Sequence, residues 1–347
     1  MIGRFQPPHF AHIETIRKAL DENDFVTVVV GSSMASTSIR NPFTFEERET
    51  MIKAAFSDDE LKRLKVVGVE DSAYDFDDWV RRVRAAVANS GFFQIESSIR
   101  LYGHEKDASS YYLRSFPDWK FIDTYEVLLY EKRLSSTEVR QRYLEMADLD
   151  YEALLQCVPE PVLKKMYELM PTNSPRYAAL YKELKFCEEY KAAWKGSPYP
   201  PTFVTVDAVV LCKGHVLMIR RGRNPGKGLL ALPGGFVEQG ETLKTAAIRE
   251  LKEETKIDVS KEFLEYALKA IKVYDDPWRD QRGRFITHAH FFDLDTMAKF
   301  RIKEGLPTVK AGDDASAALW VSLDELERHS NRVYADHFSI LKNLIKE

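Results

Sequence analysis

Two groups of residues have types and spacings suited to chemistry. Glu250, Glu253 and Glu254 stand at i, i+3 and i+4, so on a helix they share one face. Three carboxylates so close repel one another unless a hard cation sits among them. Mg²⁺ or Mn²⁺ there would bridge them to a diphosphate and activate water. The plain alternative is a solvated helix with Glu and Lys interleaved. The second group opens the chain: Gly3-Arg4-Phe5-Gln6-Pro7-Pro8-His9-Phe10-Ala11-His12, leading into a helix. A glycine lets the backbone approach a ligand. A helix N-terminus offers free N–H groups and partial positive charge to phosphate. His9 and His12, three residues apart, could both face that phosphate. Nucleotidyl transfer needs no covalent intermediate; it needs a phosphate held in line and its developing charge neutralised. Two surface histidines near a turn are the plain alternative.

Other segments join these two. Ser135-Ser136-Thr137-Glu138-Val139-Arg140 follows a strand-like run, Val127–Tyr130, and opens a helix. Its hydroxyls suit a helix cap or a phosphate, with Arg140 one turn inside. Gly103-His104-Glu105-Lys106-Asp107 follows a strand-like Ile99–Tyr102. In the second half, Gly235 and Glu241 precede Arg249-Glu250-Leu251-Lys252-Glu253-Glu254, and Asp275-Asp276-Pro277-Trp278-Arg279-Asp280-Gln281-Arg282-Gly283-Arg284 follows later. Arg279, Arg282 and Arg284 could grip a diphosphate or a terminal ribose, or line a charged surface loop. Gly312-Asp313-Asp314-Ala315 is a further acidic loop.

These groups need elements to hold them. Phe25–Val30, Val66–Val69, Ile99–Tyr102 and Phe121–Ile122 read as strands, separated by helical patterns at Ile13, Ile16, Leu20 and at Trp79, Val80, Val83, Val87. Alternation of this kind predicts a parallel sheet covered on both faces, with ligands outside the carboxyl ends of its strands. Only Met1 and Ile2 precede Gly3, so the first strand is expected to be cut short. Tyr143 to about Lys195 reads as helical, and Gly196–Pro201 (GSPYPP) as a stiff connector. Thr202–Cys212, Val216–Arg220 and Phe285–Leu294 read as strands, with a hairpin turn at Lys213-Gly214. The expected division is 1–185, a helical and Pro-rich linker over 186–201, and 202–347.

At 347 residues the chain suits two domains. It carries 25 basic against 30 acidic residues up to position 185, and 25 against 24 beyond it. Neither half has the basic excess of a nucleic-acid or anionic-membrane binder, so no nucleic-acid and no membrane partner is expected. No apolar run approaches the ~20 residues of a membrane span. The three cysteines are scattered without a CxxC pair, which fits a reducing cytoplasm. A homo-oligomer is left open.

GRFQPPHFAH, RNPFTFEER (Arg40–Arg48), GHEKDASSYYLRSFPDW (Gly103–Trp119) and SSTEVR resemble the bacterial nicotinamide-mononucleotide adenylyltransferases over residues 1–185. The resemblance implies a Rossmann-like nucleotidyltransferase domain that joins ATP and nicotinamide mononucleotide (NMN) into NAD and pyrophosphate. It implies that His9 and His12 bind the ATP phosphates and that Arg140, with Ser136 and Thr137, holds the β- and γ-phosphates. Gly3, Arg4, Phe5, Arg40, Gly103, His104, Lys106 and Asp107 fall in its substrate-binding segments. Trp79 would stack on the nicotinamide ring, or serve the core. The family's HxGH glycine is Ala11 here. From Gly235 the pattern resembles the Nudix box, GX5EX7REUXEEXGU with U a bulky aliphatic, in an α/β/α domain with a mixed sheet. The resemblance implies metal ligation by Glu250 and Glu254, assisted by Glu253 and the Gly235 carbonyl, with Arg249 pairing with Glu241. The box's late glycine is Lys256, from which an altered loop geometry is expected. The Asp275–Arg284 segment resembles Nudix enzymes acting on ADP-ribose. A fusion of this kind resembles bifunctional enzymes that make NAD and cut ADP-ribose to AMP and ribose 5-phosphate, with Mg²⁺ (or Mn²⁺) as cofactor. Two alternatives stand beside it: a different phosphate acceptor with a different Nudix specificity, and a Nudix-type ADP-ribose sensor. Intact box carboxylates and the absence of a basic half speak against the sensor.

Overall fold

Strand β1 is two residues long, Ile2–Gly3, yet it is paired in parallel with β2 (Val26–Val30), Ile2 opposite Val29 and Gly3 opposite Val30. The structure is a computed structural model and describes residues 1–92, 98–105, 108–124, 136–146, 151–295, 305–312 and 315–345. The chain divides into two units, Met1–Leu184 and Lys185–Glu347.

In the first unit β2 pairs with β3 (Leu64–Gly68) on its other side, and β1 contacts β4 (Arg100–Gly103), which pairs with β5 (Lys120–Asp123). Every described pairing in this unit is parallel. The β-branched run Val28-Val29-Val30 is buried, as a strand covered on both faces requires. Helix α1 (Phe10–Glu22) buries Ile13, Ile16 and Leu20. After it come α2 (Phe45–Lys53), opened by a Thr44/Glu47 capping box, α3 (Asp58–Leu61) and α4 (Phe76–Ala88). Four helices close the unit's described part: α5 (Ser136–Met146), α6 (Tyr151–Leu155), α7 (Glu160–Leu169) and α8 (Pro175–Ala192). The segments leaving β1, β2 and β4 all start at carboxyl ends of parallel strands, where open α/β sheets bind ligands. The expected strand Val127–Tyr130 lies outside the described residues, as do Lys106, Asp107, Ser135, Asp313 and Asp314.

Helix α8 continues to Ala192, in line with the helical reading to about Lys195. Tyr190 and Trp194 pack on Phe203 at centroid distances of 5.6 and 5.2 Å. The second unit is a mixed sheet in the order β10-β11-β6-β7-β12: β6 (Thr202–Cys212), β7 (His215–Arg221), β10 (Leu268–Tyr274), β11 (Arg284–Asp293) and β12 (Ala315–Ser322). Short strands β8 (Leu230–Ala231) and β9 (Gly234–Phe236) pair with β7 and β6. The β6–β7 turn is Lys213-Gly214 with φ of 50° and 70°, as two-residue hairpins demand. Helix α9 (Leu243–Thr255) packs Ala246, Ala247 and Leu251 onto Val206, Ala208 and Val210. Shorter helices α10 (Lys261–Ala267), α11 (Leu323–Arg328) and α12 (His337–Ile345) complete the unit. No described helix is long and apolar enough to cross a membrane.

Candidate active sites

In the first unit the chain leaves β1 through a tight loop. Phe5 takes φ of 51°, is 1 % exposed, and sets its ring 4.7 Å from that of His12. A Cβ on Gly3 would meet the Phe5 ring at 3.1 Å, so this turn favours glycine. His9 and His12 stack with centroids 3.7 Å apart, and the His9 backbone N–H donates to His12 Nδ1 at 3.3 Å. Burial, and then the neighbouring His9, hold the His12 pKa well below its usual 6.5. His12 is therefore neutral, with Nδ1 as acceptor and the proton on Nε2.

Helix α5 arrives from a distant part of the chain and closes on this loop. Arg140 donates to Gln6 O at 2.8 Å and to Thr137 Oγ1 at 3.1 Å, and Ser136 Oγ donates to Pro7 O at 3.3 Å. Burial and the nearby charges of Arg4 and Arg40 bring Arg140 down to about 10. Three guanidiniums that feel one another at a helix N-terminus make an anion site. Behind them lies Arg48, 1 % exposed. It donates to the carbonyls of Thr44, Arg4, Gly31 and Ser32 at 2.8–3.0 Å. The sequence motif contains Arg48, but its spacing gives no sign of this bracing role. At the ends of β4 and β5, His104 Nδ1 lies 3.0 Å from Asp123 Oδ1, and a Cβ on Gly103 would meet Leu113 at 3.1 Å. Trp79 sits in an aromatic cluster, 5.6 Å from Phe76, 5.9 Å from Tyr112 and 6.2 Å from Phe116.

In the second unit α9 displays the carboxylates. Arg249 donates to Glu241 at 2.7 and 3.1 Å, to Glu250 and Glu253 at 2.9 Å each, and to Phe236 O at 3.1 Å. Glu254 is buried and accepts the Gly234 N–H at 2.9 Å. Burial drives its carboxyl up to about 8, and Glu250 also titrates above its usual value through burial. Gly235 has no room for a side chain: its Cβ would stand 2.6 Å from Glu250 Oε1. Among the described residues no three His, Cys, Asp or Glu side chains are gathered as a metal cage, because Arg249 lies between Glu250 and Glu253. The donor set is nonetheless right in kind for a divalent cation: carboxylate oxygens around a bare glycine backbone, with a buried Glu254 that favours a cation or a proton beside it. Lys256 corrects the expectation of an altered loop. It takes φ of 44° and ψ of 34°, the left-handed cap that glycine favours.

The Asp275–Arg284 loop is tied inward. Arg279 pairs with Asp336 at 2.9 and 3.1 Å, and Arg282 pairs with Asp280 at 3.0 and 2.7 Å while lying over the Phe285 ring. Arg284 is more exposed and bonds to Asp275. Residues that spacing does not reveal flank this loop: Asp207, which accepts from Thr287 at 2.7 Å, and His337, whose Nδ1 accepts the Leu232 N–H at 3.0 Å.

Comparison with known proteins agrees with both halves. The cytidylyltransferase-like family matches residues 1–142 and the NUDIX domain family residues 201–344. A nicotinamide/nicotinic acid mononucleotide adenylyltransferase of Acinetobacter baylyi is 39% identical over 144 residues, 42% of this chain and 73% of that one. An ADP-ribose pyrophosphatase of Methanocaldococcus jannaschii is 37% identical over 143 residues, 41% of this chain and 73% of that one. A crystal structure of a bifunctional NMN adenylyltransferase/ADP-ribose pyrophosphatase from Francisella tularensis superposes with a TM-score of 0.85 at 35% identity, over 100% of this chain and 98% of that one. Its complex with AMP and a manganese ion gives 0.84 at 34%, over 100% and 97%. One likeness thus runs through both units, and the chain belongs to the family of bifunctional NMN adenylyltransferase/ADP-ribose pyrophosphatases.

Proposed function

We propose that the first unit transfers AMP from ATP to NMN, giving NAD and pyrophosphate, and that the second cuts ADP-ribose to AMP and ribose 5-phosphate. The observation that carries the reading is the pair of complementary sites in one chain. The first is a cluster of Arg4, Arg40 and Arg140 at the start of α1; the second is a Glu250/Glu254 face braced by Arg249.

In the first reaction a phosphate oxygen of NMN bonds to the α-phosphorus of ATP, and the bond to the bridging oxygen of the leaving pyrophosphate breaks. Arg4, Arg40 and Arg140 neutralise charge on that leaving group, and the Nε2–H of neutral His12 donates to a phosphate oxygen. Ser136 and Thr137 hold the same end, through contacts to Pro7 and Arg140. Trp79, in its aromatic cluster, belongs to the NMN end. In the second reaction a water oxygen bonds to one phosphorus of the diphosphate, and the bridging oxygen departs with the other. Glu250, Glu253, Glu254 and the Gly235 carbonyl would hold Mg²⁺, or Mn²⁺ in its place, which polarises the diphosphate and lowers the pKa of bound water. Arg249 orients Glu250 and Glu253.

The test uses the full chain. With ATP, NMN and Mg²⁺ it should form NAD, and with ADP-ribose it should release AMP. Glu254→Gln should abolish the release of AMP and leave NAD formation unchanged. No NAD from the unmodified protein, or hydrolysis that survives Glu254→Gln, refutes the corresponding assignment.

A further inference from the structure

The loop that resembles a diphosphate grip is spent on framework. Arg279 is held by Asp336 and Arg282 by Asp280, with both arginine side chains largely out of water. What these pairs support is Tyr334. Its hydroxyl donates to Asp280 Oδ2 at 3.3 Å, and its ring meets that of His337 at 5.4 Å. Gly226 lies so close that a Cβ there would come within 2.2 Å of the ring. Over the Tyr334 ring, 4.2 Å from its centroid, stands the guanidinium of Arg221.

Arg221 is the last residue of β7 and is half-buried. Its Nε donates to Pro225 O at 2.8 Å, and among the described residues no carboxylate pairs with it. The neighbouring strand β8 leads within three residues to Gly234, whose N–H holds Glu254. The Tyr334 platform is tied to the same strand: its N–H donates to Leu230 O at 2.7 Å, and His337 Nδ1 accepts the Leu232 N–H at 3.0 Å.

We infer that Arg221, seated on Tyr334, binds the diphosphate of the second unit's substrate beside the α9 carboxylates. The inference rests on the reading of that unit as a diphosphate hydrolase. A site built of glutamates needs opposing positive charge for an anionic substrate. A guanidinium offers it as a planar fork that matches two phosphate oxygens. The Tyr334 ring fixes the plane of the fork, and engagement of Nε by Pro225 leaves both Nη groups to donate. The Asp275–Arg284 motif then acts through Tyr334: it positions the arginine that binds and does not itself bind.

The experiment is steady-state hydrolysis of ADP-ribose by the full-length protein with Mg²⁺, comparing Arg221→Gln, Arg221→Lys, Tyr334→Phe and Tyr334→Leu. Arg221→Gln should raise KM by about 10- to 100-fold and lower kcat by less. Arg221→Lys, which keeps charge but loses the fork, should fall between. Tyr334→Phe should leave KM within about twofold, whereas Tyr334→Leu should raise it several-fold. Thermal melting of each preparation reports folding. If Arg221→Gln does not fold, Arg221→Lys decides. A folded Arg221 variant with unchanged KM overturns the inference and leaves the hydrolase reading intact. An unmodified protein that cleaves no ADP-ribose overturns both.

Discussion

At Gly235 a single hydrogen in place of a methyl group decides whether the carboxylates can work. Gly235→Ala would drive a carbon to within 2.6 Å of the Glu250 carboxylate. It should therefore cut ADP-ribose hydrolysis by about 100-fold, with NAD formation in the same assay unchanged. Lys256 is the opposite case, a side chain where glycine would be easier. Its left-handed cap costs ~1–2 kcal/mol against glycine, part of which the greater freedom of an unfolded glycine offsets. Lys256→Gly should raise stability by up to about 1 kcal/mol in denaturant unfolding, with hydrolysis kept. The carboxylate triad was legible because one helix carries it, and periodicity alone aligns Glu250, Glu253 and Glu254. Arg221 and Tyr334 were not legible: 113 positions separate them, and only the folded sheet brings one over the other.

Among the elements, the one holding the first site together is α2, through Arg48. Its buried guanidinium is bound by four carbonyls. Thr44 O and Ser32 O keep backbone donors in Arg48→Met, but the Arg4 and Gly31 carbonyls lose the guanidinium, which should cost about 3 kcal/mol of first-unit stability, read as a lower denaturation midpoint. NAD formation should fall with it, because the Arg4 carbonyl loses its anchor. The strands of the first unit and β6, β7 and β11 of the second were readable from β-branched runs and turn residues, with ends shifted by a residue or two, as at β4 and β11, whereas β8, β9, β10 and β12 were not read. The helix running to Ala192 was readable too, since the helical pattern carries to about Lys195 and the Pro-rich GSPYPP that breaks it starts only at Gly196. The brevity of β1 was read correctly, but a two-residue strand still delivers Gly3 opposite Val30. Sheet registry, not strand length, places the phosphate loop.

Across the whole molecule, acid acts on both units through buried imidazoles. Burial lowers the pKa of His12 in the first unit and of His290 and His337 in the second, with Asp207 opposing the shift at the latter two. A base whose folded pKa is depressed binds its proton more readily when unfolded. Stability is therefore fully present above the unfolded pKa near 6.5 and is lost as pH falls from there toward the folded values. Each such histidine removes up to about 1.4 kcal/mol per pH unit in that window. In the second unit the raised Glu254 carboxyl takes up a proton on folding and gains stability over the same window, opposing its two histidines; unfolding followed from pH 7 to 5 should show His337→Gln losing less stability than the unmodified protein. The arginine cluster of the first unit ties folding to supply. Arg4, Arg40 and Arg140 repel one another until phosphate arrives, so a bound nucleotide props up the fold as well as reacting in it. A ligand at 100 times its Kd adds about 2.7 kcal/mol to the folded state. Resistance to proteolysis would then rise and fall with the cell's nucleotide pool, making the lifetime of the NAD-forming unit a gauge of its own raw material.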